Sequence, residues 1–582
     1  MLIFNMKLIG DLFMKTKKTE RKFTKIDSVR HLALKLADHG NKIMFKYYGT
    51  DKEIATISYK EFSALVVREA AGLNALGLKG KRIAIVGETS PEWVASYIAI
   101  ISMGGVAIPM DKELDIAQID GFLTGVEAEA IIFSKGFNQK LEAMVQNHAT
   151  LKKFIMIDPT DCAFENDPKA ISFKKLLALG DTAVSQGYTL PEPEDMRRMA
   201  VMLFTSGTTG TSKCVMLCEQ NVCAAVNAAC ECVEFFPDDV LVSVLPIHHT
   251  YELCCMLAGS NYGMEICIND SLRKVLKNFA LFKPTGLILV PLFVNTMYKK
   301  IIETAKKQGK YNNLMRGITL SKTLRKVGID VRAKLFKDVV AAFGGRLTKI
   351  VSGGAPLNPD MVEKFKEFGI SIYEGYGITE CSPLISVSPY FAPKPSSVGP
   401  AVNCCTVRID YDGTVSDSGY KQGEIVVKGD NVMLGYYNNP EETAAVFTDD
   451  GYFRTGDLGY MDEDGYIYIT GRKKFVIVME NGKNVFPEEI EEYLGQIEEI
   501  AECVVVGRKA EDSDAITLVA ICYPNSVVLG DTSKEEAEAI IRKKISALNK
   551  KLTGYKRIQQ VEFVDTEFPK TTSKKIIRQG IH

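Results

Sequence analysis

At 582 residues the chain exceeds what one hydrophobic core can organise, so two or more folding units are expected. With 46% hydrophobic and 25% charged residues it has the composition of an ordinary soluble globular protein. Lys and Arg total 71 against 72 Asp and Glu, so no global field draws the chain to nucleic acid or to acidic lipid.

The opening segment, Met1 to Lys18, carries an apolar stretch broken by Lys7 and Asp11. Its positive charges follow the apolar run instead of preceding it, the wrong order for a signal peptide. No later segment reaches the ~20 uninterrupted apolar residues of a membrane span. A cytoplasmic protein is expected, with residues 1–27 as a tail and Met14 as an alternative start. Eight of the 14 cysteines fall between Cys214 and Cys267 without paired C-x-x-C spacing. In a chain with its own large core they read as small buried hydrophobes, not as a zinc site or a disulfide framework.

In chain order, residues 82–86 (RIAIV) predict a strand. Ser90 and Pro91 supply a helix N-cap and a favoured first helical residue, and the helix runs toward Gly104-Gly105. The strand VAIPM follows. The rhythm recurs at 129–134, 153–157, 239–246 and 286–291, each run followed by a helical pattern, which predicts mostly parallel sheets flanked by helices. From about 396 to 470, short strands separated by Gly, Asn and Asp turns predict a β-rich subdomain. After Gly471-Arg472 comes a basic stretch, then strands at 502–506 and 516–522. A helix follows, capped by Ser533 with Glu536 three residues on, its buried face marked by Ile541, Ile545, Leu548 and Leu552. The fold class is α/β: a large N-terminal domain over 28–471, a hinge at 472–474, and a small mobile α+β domain over 475–582.

The strongest local signal is Thr205-Ser206-Gly207-Thr208-Thr209-Gly210-Thr211-Ser212-Lys213, directly after an apolar strand. A Gly- and hydroxyl-rich loop ending in lysine offers many N–H and O–H donors to phosphate oxygens. It is not a Walker A loop, since Ser212 precedes Lys213 and Cys214 follows it. Four further stretches occur in order: Ser352-Gly353-Gly354-Ala355-Pro356 with Tyr373-Glu374-Gly375-Tyr376-Gly377-Ile378-Thr379-Glu380; Gly435-Tyr436-Tyr437-Asn438-Asn439-Pro440; Tyr452-Phe453-Arg454-Thr455-Gly456-Asp457, leading to Gly471-Arg472; and Pro569-Lys570-Thr571-Thr572-Ser573-Lys574-Lys575-Ile576. Together the five resemble the adenylate-forming (AMP-binding) superfamily of acyl-CoA synthetases, luciferases and peptide-synthetase adenylation domains.

The residue types suit that chemistry. Activating a carboxylate with ATP moves negative charge from the α-phosphate to departing pyrophosphate. Glu380 is a hard oxygen ligand suited to Mg²⁺ shared with the phosphates, and Thr379 can donate to the α-phosphate. Tyr376 between Gly375 and Gly377 offers a flat face for adenine. Asp457, after a turn-forming Thr-Gly, can accept from both ribose hydroxyls. The resemblance implies a metal-side role for Thr205, a second adenine wall at Gly354 and Ala355, a contribution from Arg472 at the domain junction, and a nucleotide-binding place for Glu374. It implies that Lys575 bridges the acid and the α-phosphate by electrostatic stabilisation. It further implies that the small domain pivots near Lys474, withdrawing Lys575 and opening a thiol tunnel near Gly482, Lys483 and Asn484. Two departures stand out: Lys574 where relatives have Gly, and Ser212 where proline is common.

Leu245-Pro246-Ile247-His248-His249-Thr250-Tyr251-Glu252, Val290-Pro291-Leu292-Phe293 with Tyr298, and the run at 482–492 resemble bacterial long-chain fatty acid–CoA ligases, which implies His249 near the acyl carbonyl. As a histidine before a helix it reads equally as a structural cap. The expected reaction is fatty acid plus ATP to acyl-AMP and pyrophosphate, then acyl transfer to coenzyme A. Alternatives are loading of an acyl carrier protein, a luciferase-like oxidation of the adenylate, and a catalytically silent relative that only binds acyl chains or nucleotides. Contact with a membrane surface is left open by the sequence.

Overall fold

The signals at residues 82–110 illustrate how the large unit is built. In a computed structural model describing residues 23–49, 52–205, 212–416, 418–479, 484–509, 516–570, 576–578 and 580–581, RIAIV forms the strand Arg82–Val86. Ser90 accepts a hydrogen bond from the Trp93 N–H, and Pro91 opens the helix Pro91–Ser102. The strand Val106–Met110 then returns parallel to the first. Nearly every residue of this helix is buried, because it lies between a sheet and further helices.

Among the described residues two eight-stranded sheets follow from repetition of this unit. One carries Arg82–Val86, Val106–Met110, Ala130–Phe133, Lys153–Met156 and Ala170–Ser172 in parallel, then Met199–Thr205 paired antiparallel with Lys213–Cys218. The other runs parallel from Ile43–Tyr48 through Glu265–Ile268, Val240–Ser243, Gly286–Leu289 and Lys349–Gly353 to Ser371–Gly377. Antiparallel strands close both its edges, Ile54–Ser58 at one and Leu384–Val387 at the other. The β-rich texture after residue 396 resolves into the four-stranded antiparallel sheet Cys405–Val415, Lys421–Gly429, Phe453–Met461 and Ile467–Arg472.

The C-terminal unit has its own core. Strands Ile500–Lys509, Ile516–Pro524 and Gln560–Phe563 pack against the helices Pro487–Leu494 and Lys534–Asn549 through Ile490, Leu494, Ile541 and Ile545. The last helix differs slightly from expectation. Ser533 accepts from the Glu536 N–H, and the helix ends at Asn549, so Leu552 is buried from the loop beyond it. The run at 239–246 is also shorter as a strand, Val240–Ser243, because Leu245 and Ile247 fill the core from a turn. The Lys153–Met156 strand is followed by another short strand before its helix, Phe173–Ser185.

Cys214, Cys218, Cys223, Cys230, Cys254 and Cys267 are buried, and burial pushes the thiols of Cys214 and Cys254 up to about 12. They pack as small apolar groups, as their spacing suggests. Among the described residues no helix is long and apolar enough to cross a membrane.

Candidate functional site

The two strands that flank the hydroxyl-rich stretch in sequence, Met199–Thr205 and Lys213–Cys218, pair antiparallel. Thr205 and Lys213 are register partners across that pair, and the Thr205 hydroxyl donates to the Lys213 carbonyl at 3.4 Å. Ser206, Gly207, Thr208, Thr209 and Gly210 lie outside the described residues, as do Gly482, Lys483, Lys574 and Lys575 near the C-terminal unit and Met14 in the tail. The pairing therefore holds Thr205 and Lys213 side by side. The Lys213 ammonium forms an ion pair with Glu442 and lies 4.9 Å from the centroid of Tyr436.

Tyr436 connects this lysine to the acidic turn. Its hydroxyl donates to Glu380 Oε1 at 3.0 Å, and burial with the Glu380 charge pushes the phenol far above its ordinary range. Glu380 sits in the single turn Thr379–Cys381, just after the strand Ser371–Gly377, and its carbonyl accepts from the Met433 N–H at 2.8 Å. Thr379 is half-buried beside it. Among the described residues no hydrogen bond reaches the second carboxylate oxygen of Glu380.

Four residues before Glu380, on the strand Ser371–Gly377, Tyr376 is buried, and its hydroxyl donates to Asp457 Oδ2 at 2.8 Å. Asp457 is itself 4% exposed, and its other oxygen pairs with Arg472 Nε at 2.8 Å. Asp457 and Arg472 face each other in the antiparallel register of the β-rich sheet, which fixes this geometry. Gly375 is in register with Gly353. Gly354 adopts φ +81°, and with Ala355 it forms an exposed lip. Gly377 is required by close approach: a Cβ there would lie 1.7 Å from the Pro383 carbonyl oxygen. Burial, helped by the charge of Glu492, pushes Glu374 up to about 7.

Behind these glycines lies an apolar cavity of about 100 Å³. It runs from Gly353, Gly354 and the Gly375–Gly377 edge past Tyr251 and Cys254 to Met264. Tyr251 braces its roof, donating to the carbonyls of Leu289 at 3.3 Å and Val351 at 3.1 Å. His249 occupies the N-cap of the helix Thr250–Tyr262 by its backbone, while its side chain makes no capping hydrogen bond. Its ring stands 4.2 Å from that of His248. His248 lies 3.5 Å from Asp111, and burial together with His249 holds it down at about 3, so it stays neutral. Glu252, one turn into the same helix, is fully buried against the Ser243 hydroxyl, and burial pushes it up to about 8.

The structure thus gathers Thr205, Lys213, Glu380, Tyr376, Asp457 and Arg472 into two linked chains of contacts, Lys213–Tyr436–Glu380 and Tyr376–Asp457–Arg472, joined by the Ser371–Gly377 strand and its turn. Three participants escaped the sequence reading. Tyr436 stood inside a quoted motif without a role. Glu442 follows the Asn439-Pro440 helix start, where Asn439 accepts from its N–H at 3.1 Å. Glu252, like Tyr436, stood inside a quoted stretch without a role; its own signal is the rarity of a carboxylate within an apolar helix.

Among the described residues no cluster of three His, Cys, Asp or Glu side chains is placed to hold a metal ion. One carboxylate, Glu380, and one hydroxyl, Thr205, fit a magnesium ion that shares its coordination with nucleotide phosphates.

Comparison with known proteins accords with this geometry. Residues 32–437 match the family model described as AMP-binding enzyme, and residues 489–575 match the AMP-binding enzyme C-terminal domain. Over 509 residues the chain is 28% identical to long chain acyl-CoA synthetase 7, peroxisomal, of Arabidopsis thaliana, covering 84% of this chain and 71% of that protein. It is 28% identical over 570 residues to a long-chain-fatty-acid–CoA ligase of Bacillus subtilis, covering 93% and 91%. Among solved structures, ATP-bound MatB from Rhodopseudomonas palustris superposes with a TM-score of 0.69 at 26% identity, covering 95% of this chain and 97% of that one. The chain belongs to the AMP-binding enzyme family.

Proposed function

We propose that the protein is an ATP-dependent fatty acid–CoA ligase. The acid's carboxylate attacks the α-phosphorus of ATP, the bond to the β-phosphate oxygen breaks, and acyl-AMP and pyrophosphate result. Coenzyme A thiolate then attacks the acyl carbon, AMP leaves, and the thioester forms. The observation that carries this reading is the shared edge Gly375–Gly377: it lines the apolar cavity, and its Tyr376 donates to Asp457 on the polar side. An acyl chain in that cavity directs its carboxylate toward Thr379, Glu380 and Lys213. The long-chain ligases among the relatives support the same substrate class.

In this reading Tyr376 and the Gly354–Ala355 lip flank adenine, with Glu374 and Gly375 beside it. Asp457, oriented by Arg472, accepts from the ribose. Lys213 exchanges Glu442 for phosphate oxygens, aided by Ser206 to Gly210. Magnesium would be held by Glu380 and Thr205, and it neutralises phosphate charge when bound. His249 sits at the acyl carbonyl, Lys575 stabilises the charge developing during adenylation, and Gly482 lines the thiol entrance. The unit 28–471 provides the cleft, 472–474 the pivot, and 475–582 the mobile lobe.

A panel of acids from acetate to C18, scored by pyrophosphate release with and without coenzyme A, tests the proposal. Release should depend on long acids, and thioester should form only with coenzyme A present. Loss of acid dependence would defeat the reading. Transfer to acyl carrier protein in place of coenzyme A would redirect it to the other acceptor.

A further inference from the structure

The balanced total charge conceals a local excess. Residues 299–346 contain 13 Lys and Arg against 3 Asp and Glu, a net +10 inside a chain whose total is −1. This segment spans the end of the helix Pro291–Lys307, the helix Tyr311–Lys326 and the short helices Arg332–Leu335 and Lys337–Ala341. Part of the charge is paired: Arg325 holds Glu367 at 2.6 Å, Arg332 holds Asp330 at 2.7 Å, and Lys310 lies 3.6 Å from Asp338. Lys299, Lys300, Lys307, Arg316, Lys326 and Lys334 are exposed and have no acidic partner among the described residues.

The same surface presents apolar groups to solvent. Leu320 is 51% exposed, Val327 66% and Ile329 51%, with Met315 and Leu335 also exposed. At about 100° per residue, Arg316, Leu320, Thr323 and Val327 fall within one narrow arc of the helix surface. The opposite side, through Leu314 and Ile318, packs on the core. Basic and apolar side chains therefore share one outward face. A ligand of phosphates alone would leave those apolar groups in water, and an apolar partner alone would leave the cations unmatched. A bilayer rich in anionic headgroups meets both requirements.

The segment is also joined to the cavity wall. Ile288 lines the cavity, Val290 comes within 3.7 Å of a Cβ built on Gly354, and the helix carrying Lys299 and Lys300 starts at Pro291. We propose that the basic and apolar face of residues 311–335 docks on an anionic lipid bilayer, placing the acyl cavity beside the phase in which long-chain acids dissolve.

The test uses the full chain without ATP or acid, so its outcome is separate from catalysis. Co-sedimentation is measured with vesicles of phosphatidylcholine and phosphatidylglycerol at 3:1 and with pure phosphatidylcholine. The wild type should pellet with the anionic vesicles and remain in solution with the neutral ones. Two double variants, Leu320→Asp with Val327→Asp and Arg316→Glu with Lys326→Glu, should each bind at least tenfold more weakly. Both should keep the wild-type melting temperature and the wild-type pyrophosphate release with the shortest acid accepted. Failure of the wild type to bind, equal binding to both vesicle types, or undiminished binding by either double variant overturns the proposal. Capture of RNA or of an acidic carrier protein by this face, without vesicle binding, overturns it as well.

Discussion

At the scale of single residues, the carboxylates separate into half-buried groups such as Glu380, with one oxygen free of hydrogen bonds among the described residues, and fully buried acids. Glu252 belongs to the second kind: its second oxygen is buried without a partner among the described residues, and its carboxyl is pushed up to about 8. An unfolded glutamate releases its proton near 4.5, so between these values the folded state holds a proton that the unfolded state has lost. Stability then falls as pH rises, by up to ~1.4 kcal/mol per pH unit. Glu252→Gln cannot titrate, so its stability relative to wild type should climb from pH 5 to pH 8 in urea denaturation. Parallel profiles would show that Glu252 is ionised in the fold. Glu380 is of the first kind. Glu380→Ala should lower adenylation at least a hundredfold at saturating acid and shift the magnesium titration to higher concentration. An unchanged titration midpoint would remove the metal role. Glu380 and Asp457 were legible in the sequence because each follows a glycine turn inside a long motif. Glu252 and Glu442 were not, because their importance comes from neighbours distant in sequence or from burial alone.

At the scale of elements, the glycines in Ser371–Gly377 differ in what they must avoid. Gly377 lies where this strand meets Leu384–Val387, and any Cβ would strike the Pro383 carbonyl. At Gly375 the nearest atoms to a built Cβ are 4.0 Å away, an ordinary contact. Gly377→Ala should therefore cost about 2 kcal/mol or more, because the strands must separate. Gly375→Ala should stay within about 1 kcal/mol, both read from thermal unfolding. Equal losses would mean that backbone entropy, not steric approach, governs this strand. The parallel strands and their helices were readable from short apolar runs and from capping at Ser90-Pro91. Their ends were less readable, since Leu245, Ile247 and Leu552 are as buried as strand or helix residues while lying in turns. Sheet order was beyond the sequence reading, since long-range pairing such as Lys349–Gly353 against Ser371–Gly377 leaves no local trace.

At the scale of the whole molecule, two units must cooperate. On the proposed role of Lys575 in adenylation alone, Lys575→Ala should abolish acid-dependent pyrophosphate exchange while sparing acyl transfer from preformed acyl-AMP. Equal loss in both half-reactions would take that role away. The large and small units also meet through charge. Lys306 lies 4.0 Å from Glu498, an attractive contact, while Glu492 of the helix Pro487–Leu494 faces Glu374.

Glu374 and Glu492 are both pushed up to about 7, Glu374 by burial and then by Glu492, and Glu492 by burial and then by Glu489 and Asp360. Glu489 is itself paired with Lys556 at 2.9 Å, and Tyr493 stands on the same helix, so the opposing pair has no cation of its own among these neighbours. Below pH 7 the pair is largely protonated and the units can touch without repulsion. Above it both carboxyls ionise, and two like charges at a partly desolvated contact favour separation. The radius of gyration from solution scattering should therefore increase between pH 6 and pH 8 in the wild type. In Glu492→Gln the increase should be smaller, because Glu374 then ionises without an opposing charge. An equal increase in both proteins would place the pH response elsewhere than in this contact.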